Sequence, residues 1–413
     1  MSSRGGIPPV ERPLSLAVRP PPIAKPSGQH PTPPLTPISP ADATGASFSR
    51  PGSSATNTQH DTNSIIDHQR PEIKEFDCDL ELSRDEHGNP VEFGRGAWSI
   101  VYSASSRVVS LAASGRNSPP PSPEKSITVY AVKLPLRPDA RVLLTEEAKF
   151  LTHLSKVRGY KSYVVPFHGY IPAENTLVMA AVPLSLSDHI LKQVSVAPKT
   201  TKTMFDPILG MPQWLSLAKH LIEGLHWLHC HAKIIHGDLK PHNILLRPRA
   251  FCDGFNTNAF PYDALFADFT SAYDPFSKRD ESGNQSLALS ALTPPFVAPE
   301  LLTLESMRSA DTTPTMATDV FALAVTLLAA AVGDLQLYPH TSSMQLLAMS
   351  RDGHNIIDHV RTGPHYARIP RKGVVEKILS PAFTKGPKMR IQSSDWLQHV
   401  TKEADGMSAA SAI

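Results

Sequence analysis

Cysteine, net charge and long apolar runs are all in short supply. The three cysteines, Cys78, Cys230 and Cys252, are too few and too scattered for a disulfide framework or a zinc cluster, which points to a reducing compartment. A net charge of +2 supplies no field that would draw nucleic acid or an anionic membrane surface as the main partner. The most apolar stretch, Val320 to Val332, is too short to span a bilayer, and no apolar run follows Met1-Ser2-Ser3-Arg4. A soluble intracellular protein, cytoplasmic or nuclear, is therefore expected, with no membrane span.

Proline, by contrast, is abundant. Its 40 residues are roughly twice the usual share, and many fall in residues 1–75. Clusters such as Pro20-Pro21-Pro22 and Pro31-Thr32-Pro33-Pro34 favour extended polyproline II conformations. We expect a disordered segment over 1–85, open to SH3- or WW-type partners and, at Thr36-Pro37 and Ser39-Pro40, to phosphorylation. The remaining chain is long enough, at 41% hydrophobic residues overall, to bury a sizeable core.

From about Val91 the pattern changes to short β-rich runs, Val91-Glu92-Phe93, Ile100-Val101-Tyr102 and Ile127 to Val132, which read as strands of one antiparallel sheet. Between the last two lies Ser114 to Pro123, whose prolines cannot join a ladder, so an insertion is expected over about 105–126. Helical spacing of apolar residues appears at Val142 to Leu154, at Trp214 to His229 and again after Ala317. Strands dominate early and helices late, which implies an α+β chain of two unequal lobes.

Three local patterns carry chemistry. Gly94-Arg95-Gly96-Ala97-Trp98-Ser99, between Phe93 and Val101, is a glycine-rich turn whose backbone amides can approach phosphates. Lys133 ends the apolar strand Tyr130-Ala131-Val132, and Glu147, beside the buried stripe of Phe150, Leu151 and Leu154, is the carboxylate placed to hold its ammonium. His236-Gly237-Asp238-Leu239-Lys240-Pro241-His242-Asn243-Ile244-Leu245-Leu246 puts an acid, a base and an amide in one loop ahead of an apolar strand.

That last segment resembles the catalytic loop of the eukaryotic protein kinase family, H-R-D-x-x-x-x-N. Further matches follow in the family's order: Ala131-Val132-Lys133 upstream, Ala267-Asp268-Phe269 downstream, then Thr293 to Glu300. The resemblance implies a bilobal kinase domain over 86–400, with an N-lobe over about 86–181, a C-lobe over about 182–400, a second insertion over 247–262 and a disordered tail over 401–413. It also implies ATP and magnesium as cofactors, and protein substrates phosphorylated on serine or threonine. Asp238 would be the catalytic base, Lys240 would neutralise the phosphoryl group in flight, and Asn243 and Asp268 would hold magnesium. Lys133, fixed by Glu147, would grip the α- and β-phosphates. Val101, Ala131 and Leu245 would sandwich adenine, with Met179 before a hinge at Ala180, Ala181 and Val182. Thr293 would reach the catalytic loop, Glu300 would pair with Arg390, and Asp319 would brace the loop from the following helix.

Two positions depart from the pattern. Gly237 replaces the arginine that grips a phosphorylated activation segment, so activation by phosphorylation in residues 271–293 is not expected. Thr270 stands where the family has glycine after Asp268-Phe269, restricting the backbone there. These departures keep open a pseudokinase that binds nucleotide without transfer, and an adaptor working through its proline-rich segment.

Overall fold

The chain divides into two units, Met1–Arg70 and Pro71–Ile413. A computed structural model of the protein describes residues 72–106, 128–196, 205–249, 259–276, 293–309, 312–364 and 366–411, all in the second unit. The proline clusters, most of the expected insertion at 105–126 and most of 271–293 lie outside the described residues.

Six strands build the first sheet: β1 (Leu80–Leu82), β2 (Glu92–Arg95), β3 (Ser99–Ser106), β4 (Val129–Pro135), β5 (Phe167–Ile171) and β6 (Thr176–Ala180). Their order is β1-β3-β4-β6-β5, and β2 pairs with β3. Since β4 takes the other edge of β3, β1 and β2 share its outer edge in succession, β2 opposite Ile100 to Tyr102 and β1 opposite Ala104 to Ser106. Ala131, Val132 and Lys133 are buried in succession on β4, because this central strand is covered on both faces. A separate antiparallel pair, β7 (Ile244–Pro248) and β8 (Tyr262–Phe266), follows the loop of interest.

Ten helices accompany the strands among the described residues: α1 (Ala140–Lys156), α2 (Tyr160–Tyr163), α3 (Leu186–Val196), α4 (Met211–Trp227), α5 (Leu304–Arg308), α6 (Met316–Val332), α7 (Ser343–Arg351), α8 (Ile356–Thr362), α9 (Val374–Leu379) and α10 (Ser393–Ser411). α1 turns Leu143, Leu144, Ala148, Leu151 and Leu154 inward at helical spacing, and Glu147 lies in that same buried stripe. α4 has Pro212 in its first turn, where a missing N–H is not needed. α6 starts on a Thr315–Thr318 capping box and stops at Gly333, whose φ of 82° suits glycine. Every residue from Thr318 to Val332 is buried, so α6 is the core of the helical lobe. Buried tryptophans tie other elements together through their one donor: Trp214 Nε1 to Leu327 O at 2.9 Å, and Trp396 Nε1 to Ile378 O at 2.8 Å. Among the described residues no helix is long and apolar enough to cross a membrane.

Four boundaries differ from those read in the sequence. Ordered structure begins before residue 86, since Lys74 to Phe76 lie along β5 and β1 pairs with β3. Strand β3 reaches Ser106, so the first insertion starts after it. Strands β7 and β8 claim both ends of the segment expected to be a loop over 247–262. At the other terminus α10 continues to Ser411, where a tail was expected from 401, because Val400 is buried and Ala404 and Met407 pack against the core.

Candidate active site

The glycine-rich turn joins β2 to β3. Gly94, Arg95, Gly96 and Ala97 are exposed, Phe93 and Trp98 are half-buried and Ser99 is buried. The Gly96 N–H donates to Ser99 O at 2.9 Å, closing the turn. A Cβ at Gly94 would meet nothing and one at Gly96 only Ser99 O at 3.8 Å, so folding alone does not demand glycine at either. Arg95 pairs with Glu92, and the Arg137 guanidinium lies 4.1 Å from the Trp98 ring centre.

Pairing of β3 with β4 sets Val101 opposite Lys133. From there the Lys133 ammonium reaches Glu147 Oε2 at 2.7 Å and Asp268 Oδ1 at 2.8 Å. Glu147 Oε1 accepts the Phe269 N–H at 3.0 Å, so one carboxylate joins β4 to the segment after β8. The neighbouring Glu146 points away, paired with Lys149, as the helical stripe predicts. Burial opposes charge on Lys133, but the Asp268 and Glu147 carboxylates hold its pKa above the usual lysine range. Burial likewise opposes charge on Asp268, yet the Lys133 ammonium carries its pKa below the usual carboxylate range. Glu147, the more deeply enclosed partner, is pushed up by burial.

The loop before β7 is organised around Asp238. Its Oδ2 accepts from Lys240 Nζ at 2.6 Å and from Asn243 Nδ2 at 3.0 Å, and Asn243 Nδ2 also reaches the Asp238 carbonyl at 2.8 Å. Lys240 Nζ donates to Thr293 Oγ1 at 3.2 Å. Burial pushes the Asp238 carboxyl up to about 6, although the Lys240 ammonium pulls the other way. Asp268 contributes to that upward push and itself feels Lys240, so the two clusters share one electrostatic environment. Three carboxylates face two ammonium groups there.

Asp319, buried on α6, holds the loop from beneath: it accepts the His236 N–H at 2.7 Å, the Gly237 N–H at 2.9 Å and His229 Nε2 at 3.0 Å. The His236 ring lies against Phe269, with ring centres 4.7 Å apart and planes tilted by 43°. Burial lowers the His236 pKa, and its Nε2 lies 3.1 Å from Ala267 O. Sequence reasoning did not assign the contacts of His229 and His236, since neither position faces a patterned partner in the chain.

A family model described as protein kinase domain matches residues 130–400, about two thirds of the chain. The chain belongs to the protein kinase family. Its α+β bilobal architecture, a β-sheet N-lobe and a mainly helical C-lobe, is that of the kinase fold. The match starts on β4, so the glycine-rich turn precedes it. No curated protein matches the chain significantly.

Of the residues expected at an adenine site, several lie in or against the core. Ala131 pairs with Met179 across β4 and β6, and both belong to the continuous core, with Val101 and Leu245 half-buried against it. Ala180 ends β6, Val182 is buried, and Ser185 bridges to Leu245 on β7.

Both departures from the family pattern have a structural setting. Thr270 Oγ1 donates to Asp268 Oδ1 at 2.7 Å, which helps hold that carboxylate. Gly237 has φ +81°, and a Cβ there would overlap the Ser271 carbonyl oxygen. Next to it Ile235 and Tyr273 exchange two backbone hydrogen bonds of 2.9 Å. The segment after Asp268 is thus pressed by backbone contact against the loop that carries Asp238. Gly237→Ala should cost about 1–3 kcal/mol from left-handed strain plus this overlap. We expect a lower Tm and faster hydrogen exchange at Ile235 and Tyr273; an unchanged Tm would show that Ser271 moves freely.

Proposed function

We propose that this chain is an active protein kinase that transfers the γ-phosphate of ATP to serine or threonine hydroxyls of proteins. One observation carries the reading: Lys133 is held by Glu147 and by Asp268, and Asp268 in turn lies within the electrostatic reach of Asp238 and Lys240. Lys133 would bind the α- and β-phosphates, and the open face of the Gly94–Gly96 turn would let amides approach them. Asp238 would orient the substrate hydroxyl and take its proton as the new O–P bond forms and the bond to the bridging oxygen of ADP breaks. Lys240 would meet the charge on the phosphoryl group. Its contact with Thr293 supports a serine or threonine acceptor.

The donor set fits magnesium. Among the described residues no cluster of three or more His, Cys, Asp or Glu could hold a metal unaided. Magnesium, however, is commonly held by one or two protein groups together with substrate phosphates, so one carboxylate and one amide oxygen suffice. Asp268 would supply the carboxylate, and Asn243, whose Nδ2 is engaged by Asp238, its amide oxygen. Bound there, the ion would neutralise phosphate charge.

A pseudokinase is favoured by one detail: Lys133 and Thr270 both bond Asp268 Oδ1. Radiolabelled phosphate transfer from Mg-ATP to a peptide panel separates the readings, comparing wild type with Asp238→Asn and Lys133→Met. Equal labelling by all three proteins would defeat the kinase reading. Partner capture by the proline clusters, the adaptor reading, is tested by SH3 and WW domain pull-downs with and without residues 1–71.

The Asp238 carboxyl, at about 6, sets a pH dependence. As a base it must be ionised, so kcat/KM should fall about tenfold per pH unit below that value. Stability runs the opposite way: the folded state holds this proton more tightly than the unfolded chain, so the contribution is present at low pH and is lost as pH rises through about 6. A pH–rate profile decides the assignment; an acid limb that persists in the residual activity of Asp238→Asn belongs to another group.

A further inference from the structure

The structure holds a contact that no family pattern in the sequence supplies. Residues Lys74 to Phe76 lie parallel to β5: Tyr170 N–H donates to Lys74 O at 2.8 Å, and Phe76 N–H donates to Tyr170 O at 3.0 Å. The same strap turns toward α1, where the Lys74 N–H donates to Thr152 Oγ1 at 3.1 Å, and Lys74 Nζ reaches back to Phe167 O at 3.2 Å. Thr152 is buried, and its own hydroxyl bonds Ala148 O at 2.7 Å. Tyr170 completes the link through its hydroxyl, 2.8 Å from Thr145 Oγ1 on α1. Phe76 sets its ring edge-on to Tyr130 of β4 at 5.4 Å.

Gly169 shows that this seat is shaped for the strap. A Cβ there would lie 2.6 Å from Glu75 O and 2.9 Å from Phe76 Cβ, and its φ of +157° is one that side chains rarely adopt. Thus β5 accepts the strap only because residue 169 has no side chain.

We propose that the strap is a positioning element that fixes α1 against the sheet and thereby keeps Glu147 on Lys133, with Lys74, Phe76, Thr152 and Gly169 as positioning residues for phosphoryl transfer. This rests on the kinase reading above. Thr145 and Thr152 lie on either side of Glu147 on α1, so two of the helix's tethers, to Tyr170 and to Lys74, bracket the carboxylate that holds Lys133.

The test uses the full chain. Phe76→Pro removes the donor to Tyr170, Gly169→Ala fills the seat, and Thr152→Val removes the acceptor for Lys74 while Thr152→Ser retains it. We expect the first three to speed hydrogen exchange of α1 amides about tenfold and to lower kcat/KM for ATP by a similar factor, with Thr152→Ser close to wild type. In a Glu147→Gln background the strap changes should cause little further loss, because both act through the same pair. Unchanged α1 exchange in Phe76→Pro, or losses that simply multiply with Glu147→Gln, would overturn the proposal. If wild type shows no transfer, the kinase reading fails, while the exchange measurement still decides whether the strap holds α1.

Discussion

Asp238→Asn should lower kcat by roughly 10²–10⁴-fold while leaving the fold and nucleotide binding intact. The contrast follows from which atoms are engaged. Lys240 and Asn243 both donate to the same oxygen, Oδ2. An asparagine can turn its single amide oxygen to that position and keep both contacts, at nearly the same volume. What it cannot do is accept a proton from a substrate hydroxyl. Removing a carboxylate that burial disfavours also relieves the folded state, so Tm should not fall. Single-turnover kinetics with Mg-ATP separate the two effects, as the chemical step should slow with little change in nucleotide Kd. A variant that transfers phosphate at the wild-type rate would remove Asp238 from the role of base.

Much of this site was legible in the sequence because its residues sit at fixed offsets within single elements. Asp238, Lys240 and Asn243 share one loop, and the helical stripe of α1 separates Glu147 from Glu146 without any knowledge of the sheet. The strap was not legible, since Glu72-Ile73-Lys74-Glu75-Phe76 has neither alternation nor a turn signal. Its conformation is imposed by β5 and by the bare backbone of Gly169. The end of α10 was missed for a related reason: Ala404 and Met407 pack inward among small and polar neighbours that read as a tail. Gly237 was recognised as a missing arginine, but its close approach to Ser271 depends on a contact between segments that spacing does not reveal.

The largest effect on stability should come from Glu300→Ala, which we expect to destabilise the C-lobe by about 3–5 kcal/mol. Arg390 is the reason. Its side chain is fully enclosed, with Glu300 accepting from Nη1 at 2.7 Å and from Nη2 at 3.1 Å. Nη1 also donates to Ala317 O at the start of α6, Nη2 and Nε donate to Thr384 O, and the guanidinium lies 5.2 Å from the Phe321 ring centre. One cation therefore joins the segment after Thr293, the first turn of the core helix and the approach to α10. Without Glu300 the charge stays buried beside two carbonyl groups that cannot neutralise it, and arginine does not escape by losing its proton. For a domain of this size such a loss lowers Tm by on the order of 10 °C. Arg390→Lys should recover little, because an ammonium cannot reproduce the fork that meets both oxygens of Glu300 and both carbonyls. Replacing both partners, Glu300→Leu with Arg390→Met, should cost less than Glu300→Ala alone, since no charge is then left without a counterion. Thermal melts of the four proteins test this, and a Glu300→Ala melt that coincides with wild type would mean that solvent reaches Arg390 and that the pair does not hold the lobe together.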